Sequence, residues 1–452
     1  GHAGSDVETA YRSMAEIEAA EISDPLLTNA RVLMDAGVLT GTEIHQMYQT
    51  EQQLIAHLSN QASATEQISS ADEVMHALYV STAAAETVVD AQKREEHFAH
   101  VLGFVPEKSP KKRHLAMLMN WALQDVMLQK SNTVLFGEDV ARKGGVYHVT
   151  HGLQDTFGRS RVFNTLLDET TILGLAIGMA QVGFLPIPEI QYLAYYHNAQ
   201  DQVRGEAASQ SFFSNGQFIN PMVIRIASYA YQRGFGGHFH NDNSLAALLD
   251  VPGLMILSPS RGDDAVYMFQ HAIYCAQTQG RVVVFLEPIA LYMQKDLYTP
   301  GDGKWLCQYP AVMEVAKEVR PKQYDPQNKD LLMISYANGV HMSLQASKKL
   351  FDEHGIQASV LDLRQLKPLP MHDVQKVVQS YTHVLLVDEC RQWGGVCDRL
   401  LAQLVVQKEF AKKTFQTVQA RDTYVPLGPA ANLVLPQVAD IVQQSVQMVN
   451  SN

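Results

Sequence analysis

The chain has 452 residues, 46% of them hydrophobic and 18% charged, and carries a net charge of −12. That length suggests two or three domains rather than one. An acidic balance with no dense basic tract excludes a nucleic-acid protein, and no apolar run approaches the roughly 18 residues that would span a bilayer.

From the start, residues 1–13 are small and polar, the profile of a loop. Asp24-Pro25 opens a helix that Gly37 stops, and Thr40 with Glu43 has capping-box spacing before a longer helix. Residues 61–112 read as an exposed linker with one or two loose helices, ending in the basic cluster Lys108 to Arg113. A larger α/β unit follows. It has a helix in MLMNWALQDVMLQ, a strand in TVLFGEDV ending at Glu138-Asp139, and a β-rich run from Arg161 to Leu167.

The centre of that unit is the acidic step Asp168-Glu169, an apolar helix studded with Gly174, Ala176, Gly178 and Ala180, and the apolar run Phe184 to Ile190. Strand, acidic turn, helix, strand predicts parallel strands joined by a crossover helix. Ligands of such sheets sit beyond the carboxyl ends of the strands. Glu169 and the tyrosine cluster that includes Tyr192 and Tyr195 therefore should face one crevice. The small residues permit close helix packing, either on the sheet or on another subunit or domain, and the pattern does not choose between them.

Further strands are expected at 221–228, 252–259 and 281–288, with a loop rich in glycine and histidine, residues 229–243, between the first two. Residues 289–329 lack a period and mark a boundary. A smaller α/β unit then has strands near 331–337, 358–364 and 383–389 and helices at 340–354, 371–380 and 394–409. The cysteines, Cys275, Cys307, Cys390 and Cys397, have no CxxC spacing and read as reduced thiols. Residues 1–20 are too acidic for a signal or transit peptide. A cytoplasmic (bacterial) or mitochondrial-matrix location is expected.

The runs GEDVARKGGVYHVTHGLQDTFGRSRVFNTLLDETTILGLAIGMA, PEIQYLAYYHNAQDQV and GHFHNDN, with DLRQLKPL further on, closely resemble the β subunit of the thiamine-diphosphate-dependent 2-oxo acid dehydrogenase E1 enzymes, over about 113–445. Residues 1–60 resemble instead the C-terminal helices of the E1 α subunit, so an α–β fusion lacking its front part is expected, that part being either a separate chain or cleaved off in the loop before Gly1. The resemblance implies an α/β fold with a pyrimidine-binding domain at 113–288, a connector at 289–329 and a transketolase C-terminal-like domain at 330–452, preceded by the helical α tail and the 61–112 linker.

It also implies thiamine diphosphate, with Mg²⁺ held by the missing α part. Glu169 would hydrogen-bond the pyrimidine N1′ and so help generate the base that deprotonates the thiazolium carbon. Tyr195 would stack on the pyrimidine, Gln191 would line the pocket, and Glu138 would be a second acid near a polar channel spanning the dimer. His240 would handle the substrate carboxylate and acyl transfer, and His2 would lie near the cofactor. Ala3 stands at the family's regulatory serine position. Asn241-Asp242 replaces the family's Ser-Gln after His240, an acid expected to raise the pKa of that histidine. The structural potassium site near Ala272-Ile273 is expected to be weakened or absent.

Gly301-Asp302-Gly303 with Asn328 copies the family's diphosphate motif but lies in the connector, so it is read as a decoy. His238 and His240 alone do not make a metal site. Expected partners are the E1 α region, a second copy or an α2β2-like assembly, and the E2 acyltransferase. The function implied is oxidative decarboxylation of pyruvate or a branched-chain 2-oxo acid, with FGRSRVFNT leaning toward the latter. The alternatives are another transketolase-type thiamine enzyme or a non-catalytic assembly subunit that binds E2.

Overall fold

The computed structural model describes residues 3–80, 90–232, 234–311 and 318–450. His2 lies outside the described residues. The chain forms two compact units, Gly1–Val74 and Met75–Asn452.

The first unit is helical. Ser13 and Glu16 form a capping box that opens Met14–Ile22, and Asp24 caps Pro25–Asp35 from its side chain. The expected Thr40–Glu43 capping box opens Gly41–Ser63. None of the described residues of this unit is buried, and Leu26, Val32, Met47 and Ile55 are exposed.

Among its described residues the second unit carries twelve strands: β1 (Thr133–Gly137), β2 (Val162–Asn164), β3 (Leu185–Ile190), β4 (Met222–Ser228), β5 (Met255–Leu257), β6 (Val282–Pro288), β7 (Lys322–Tyr324), β8 (Leu331–Ser335), β9 (Ala358–Asp362), β10 (Gln365–Lys367), β11 (His383–Arg391) and β12 (Thr414–Ala420). They build a seven-stranded sheet, β10-β5-β6-β4-β3-β1-β2, and a five-stranded sheet, β12-β11-β8-β9-β7. All pairings are parallel except β10 on β5 and β7 on β9. The residues of β1, β4 and β6 are buried throughout, as parallel strands covered on both faces must be. One face is packed by Leu115–Gln129 and Gly262–Gln279, the other by Glu169–Gln181 and the turns after β3. No helix among the described residues is long and apolar enough to cross a membrane.

At one helix the structure corrects the reading of 61–112 as an exposed linker, while residues 61–76 are exposed. Helix Ala91–Leu102 turns Arg94 and Phe98, four residues apart, inward. The Arg94 guanidinium bonds both carboxylate oxygens of buried Asp125 and also Glu107, so two charges were masking a packed helix face. A second difference is β10. The stretch after β9 leaves its own sheet and adds an antiparallel edge strand to the larger one.

The glycines of Glu169–Gln181 do not make the close helix–sheet contact: a Cβ at Gly174 or Gly178 would meet nothing within 4 Å. Ala176 and Ala180 take the buried side instead.

Candidate functional site

The crevice forms where β1, β2 and β3 end. The chain runs from β1 to β2 on one side and returns to β3 on the other, a reversal that opens a gap at the carboxyl edge of the sheet. Strand β1 comes very close to β3 there, since a Cβ on Gly137 would sit 2.6 Å from the Glu189 carbonyl oxygen. The next residue, Glu138, is thereby buried beside the start of the helix that begins with Glu169.

Glu138 and Glu169 are both buried and share a side-chain hydrogen bond. A like charge in that contact disfavours ionisation of Glu138. Burial, then the Glu169 charge, pushes the Glu138 carboxyl up to about 7. Asn198 donates from Nδ2 to Glu169 Oε2 at 3.2 Å, and Thr170 Oγ1 donates to the Asn198 carbonyl at 2.9 Å. Asn198 was not singled out from sequence.

A folded state that holds the Glu138 proton more tightly than the unfolded chain loses stability as pH rises from the ordinary carboxyl range toward about 7. Glu138→Gln is expected to flatten that decline, measured as denaturation midpoints across the range.

Aromatic groups form the opposite wall. Tyr195 lies 5.3 Å from Tyr192 between ring centroids, and Tyr192 lies 4.4 Å from His240. Burial and then the Tyr192, Glu138 and Glu169 charges raise the pKa of the Tyr195 hydroxyl. Tyr147 donates to Gln232 Oε1 at 2.7 Å and reaches Tyr192 at 3.3 Å, while the Gln232 amide bonds the His240 carbonyl. His240 itself is half-buried, packed by Tyr192 and Phe235. Gly236, at φ 68°, is required beneath it because a Cβ would sit 2.0 Å from His240 Nδ1.

Gln191 lines a small cavity with Gly145, Tyr147, Glu189 and Tyr292, and Tyr147 joins that cavity to the aromatic cluster. Behind it, Arg225 is clamped between Glu189, at 2.6 Å, and Glu287, at 2.7 and 2.8 Å, with the Tyr292 hydroxyl donating to Glu287. The sequence signal for this core was present: one arginine in an otherwise apolar central strand must have buried partners.

The structure corrects the role expected of Asp242. Its carboxylate pairs with His197, 3.0 Å away, and not with His240. The reason is the turn at Asn241, whose Nδ2 bonds the Phe235 and Gly237 carbonyls and sends successive side chains in different directions.

The decoy motif has a structural task. Asp302 accepts the backbone N–H groups of Leu297, Tyr298, Thr299 and Lys304, which hold its carboxyl well below the usual range, and Asn328 donates to the Ala358 carbonyl. In the potassium region, helix Gly262–Gln279 is continuous and Cys275 Sγ lies 3.3 Å from His271 Nε2. All four cysteines are buried and unpaired with one another. No group of three His, Cys, Asp or Glu residues among the described ones is arranged to hold a metal ion.

The donor set fits one half of thiamine diphosphate. A buried acid pair opposite aromatic rings suits a neutral aminopyrimidine, which needs a carboxyl partner and an apolar face. The same acids repel a diphosphate, and two cations among the described residues are engaged, Arg225 as above and Lys143 by Asp139 at 2.6 Å.

Residues 111–293 match the transketolase pyrimidine-binding domain, and residues 322–441 match the transketolase C-terminal domain. The β subunit of the pyruvate dehydrogenase E1 component from Staphylococcus epidermidis is 31% identical over 337 residues, 73% of this chain and 97% of that protein. Its counterpart from Bacillus subtilis is 30% identical over 328 residues, 71% of this chain and 94% of that protein. Among solved structures, a split-gene transketolase described as an inactive β4 tetramer superposes with a TM-score of 0.58 at 17% identity, covering 75% of this chain and 98% of that one. At that identity the likeness concerns the fold alone.

Proposed function

Because the chain belongs to the β-subunit family of the thiamine-diphosphate-dependent 2-oxo acid dehydrogenase E1 components, we propose that it supplies the pyrimidine-binding half of such an E1 active site. The observation that carries this reading is the buried Glu138–Glu169 pair facing Tyr195 at the carboxyl edge of the sheet.

On this reading Glu169 exchanges a proton with the pyrimidine N1′, and Glu138 keeps a second proton within reach. Asn198 holds the Glu169 carboxyl in place. Tyr195 packs on the ring, Tyr192 and Tyr147 exclude water behind it, and Gln191 lines the far side. His240 faces the incoming substrate carboxylate and the later acyl acceptor. When bound, thiamine diphosphate supplies a carbon nucleophile and, in its cationic ring, an electron sink for loss of CO₂.

The diphosphate and its Mg²⁺ belong to an E1 α region, in keeping with the acidic crevice. Residues 1–60 are the C-terminal helical part of such an α subunit, which accounts for their exposed apolar faces. Residues 113–288 form the pyrimidine-binding domain, 289–329 the connector and 330–452 the C-terminal domain. The open glycine face of Glu169–Gln181 fits a contact with a second copy. Acyl transfer goes to a lipoyl group of an E2 partner.

The relatives' names favour pyruvate over a branched-chain acid. Reductive acylation of a lipoyl domain by the assembled E1, with pyruvate and with 3-methyl-2-oxobutanoate, tests this. Faster acylation from pyruvate is expected; a preference for the branched acid would overturn the choice, and transfer to an aldose instead of lipoamide would mean a transketolase-type reaction.

A further inference from the structure

After β3 the chain advances in short turns, Leu193–Tyr196 and His197–Ala199. This rotation buries Tyr196 and Ala199 and leaves His197 and Asn198 on the open side. Asn198 grips the start of the Glu169 helix through two hydrogen bonds. His197 reaches the other way. Its Nε2 lies 3.0 Å from Asp242 Oδ2 and 2.9 Å from Ser244 Oγ.

Asp242 closes the loop that carries His240. Its carbonyl accepts the Tyr229 N–H at 3.1 Å, so residues 229–242 form a lasso tied at this point. The loop is strained at its entry, where Tyr229 and Tyr231 adopt φ of 75° and 68°. Non-glycine residues keep such angles only when their surroundings hold them. Its tip is open, with Phe235 65% and Phe239 59% exposed.

We propose that His197 is a positioning residue: its bridge to Asp242 ties the His240 loop to the turn from which Asn198 holds Glu169. The functional weight of this latch rests on the reading proposed above for Glu169 and His240. An ordinary exposed ion pair would contribute little. Here, however, the carboxylate is buried and joins two segments 45 residues apart in sequence, one holding Glu169 through Asn198 and the other carrying His240.

The groups facing the His197 imidazole are Asp242, the Arg391 guanidinium at the end of β11, Ser244 and Gln200. The Asp242 hydrogen bond raises the His197 pKa; burial and Arg391 oppose it. A histidine whose folded pKa is raised contributes its stabilisation on the acid side and loses it as pH climbs through that folded value. The latch is therefore tight at low pH and loosens as His197 deprotonates.

The test reads the loop directly. The whole 452-residue chain is exposed to chymotrypsin between about pH 6 and 9, and nicking after Phe235 and Phe239 is normalised to an unfolded peptide of the same sequence. The His197 imidazole signals are followed by NMR in the same samples. Nicking is expected to rise roughly fivefold across the pH at which His197 titrates. In Asp242→Asn the His197 titration falls to lower pH and nicking is high at every pH, without a step.

A flat wild-type profile, or a step displaced from the His197 titration, overturns the latch. The wild-type arm decides alone if the variant does not fold. Nicking requires no cofactor, so a failed latch and a failed thiamine reading are told apart.

Discussion

Glu169→Gln is expected to lower thiamine-diphosphate-dependent CO₂ release by about 10²–10⁴-fold, the usual contribution of a positioned proton-transfer group. Glutamine keeps the size of the side chain and can still accept from Asn198, whose donor lies 3.2 Å from the carboxyl. It cannot pass a proton. Cofactor affinity should therefore change far less than turnover, and the loss should fall on kcat at saturating cofactor. Glu138 offers a second acid in hydrogen-bond contact with Glu169, so some residual turnover is expected. A variant that keeps wild-type turnover would remove Glu169 from the chemistry.

Arg225→Met is expected to destabilise the second unit by about 3–5 kcal/mol, the range for breaking a buried ion pair by removing one partner. Arg225 is fully enclosed, and its loss would leave Glu189 and Glu287 together in the middle of the sheet. The deficit should shrink in acid, because protonation relieves two unpaired buried carboxylates. A compensated variant, Arg225→Met with Glu189→Met and Glu287→Leu, should recover most of the loss, since replacing a whole buried ionic group by apolar residues is often neutral or better. Urea midpoints of the three proteins check this. Equal midpoints for wild type and the single variant would mean that the cluster is solvated.

Much of this architecture was legible because the chain repeats one rule. Apolar runs such as Met222–Ser228 and Val282–Pro288, separated by helical stretches, could only be buried parallel strands. Capping chemistry gave helix starts: Thr40–Glu43 was read correctly, and Ser13–Glu16 carried the same signal unread. What was not legible depended on distant partners. Lys367 and its neighbours have no strand signature, yet β10 forms because β5 presents an open edge. Helix Ala91–Leu102 looked solvated because the acid that neutralises Arg94 comes 31 residues later.

The site divided in the same way. Glu138, Glu169, Tyr195 and His240 stand at strand ends or on a glycine-rich loop, where the βαβ pattern and the resemblance both point. Asp242 was assigned to its neighbour in sequence, whereas the turn at Asn241 delivers it to His197. A partner 45 residues away, like Asn198 for Glu169 at a distance of 29, leaves no local mark in the sequence.

The most direct test of the central claim is CO₂ release from a 2-oxo acid by this chain assembled with a diphosphate-binding E1 α region, as thiamine diphosphate is titrated in. The account predicts no turnover without the cofactor, saturable turnover with it, and collapse of the saturated rate in Glu169→Gln. An intact assembly that binds thiamine diphosphate and releases no CO₂ from either pyruvate or 3-methyl-2-oxobutanoate would contradict it.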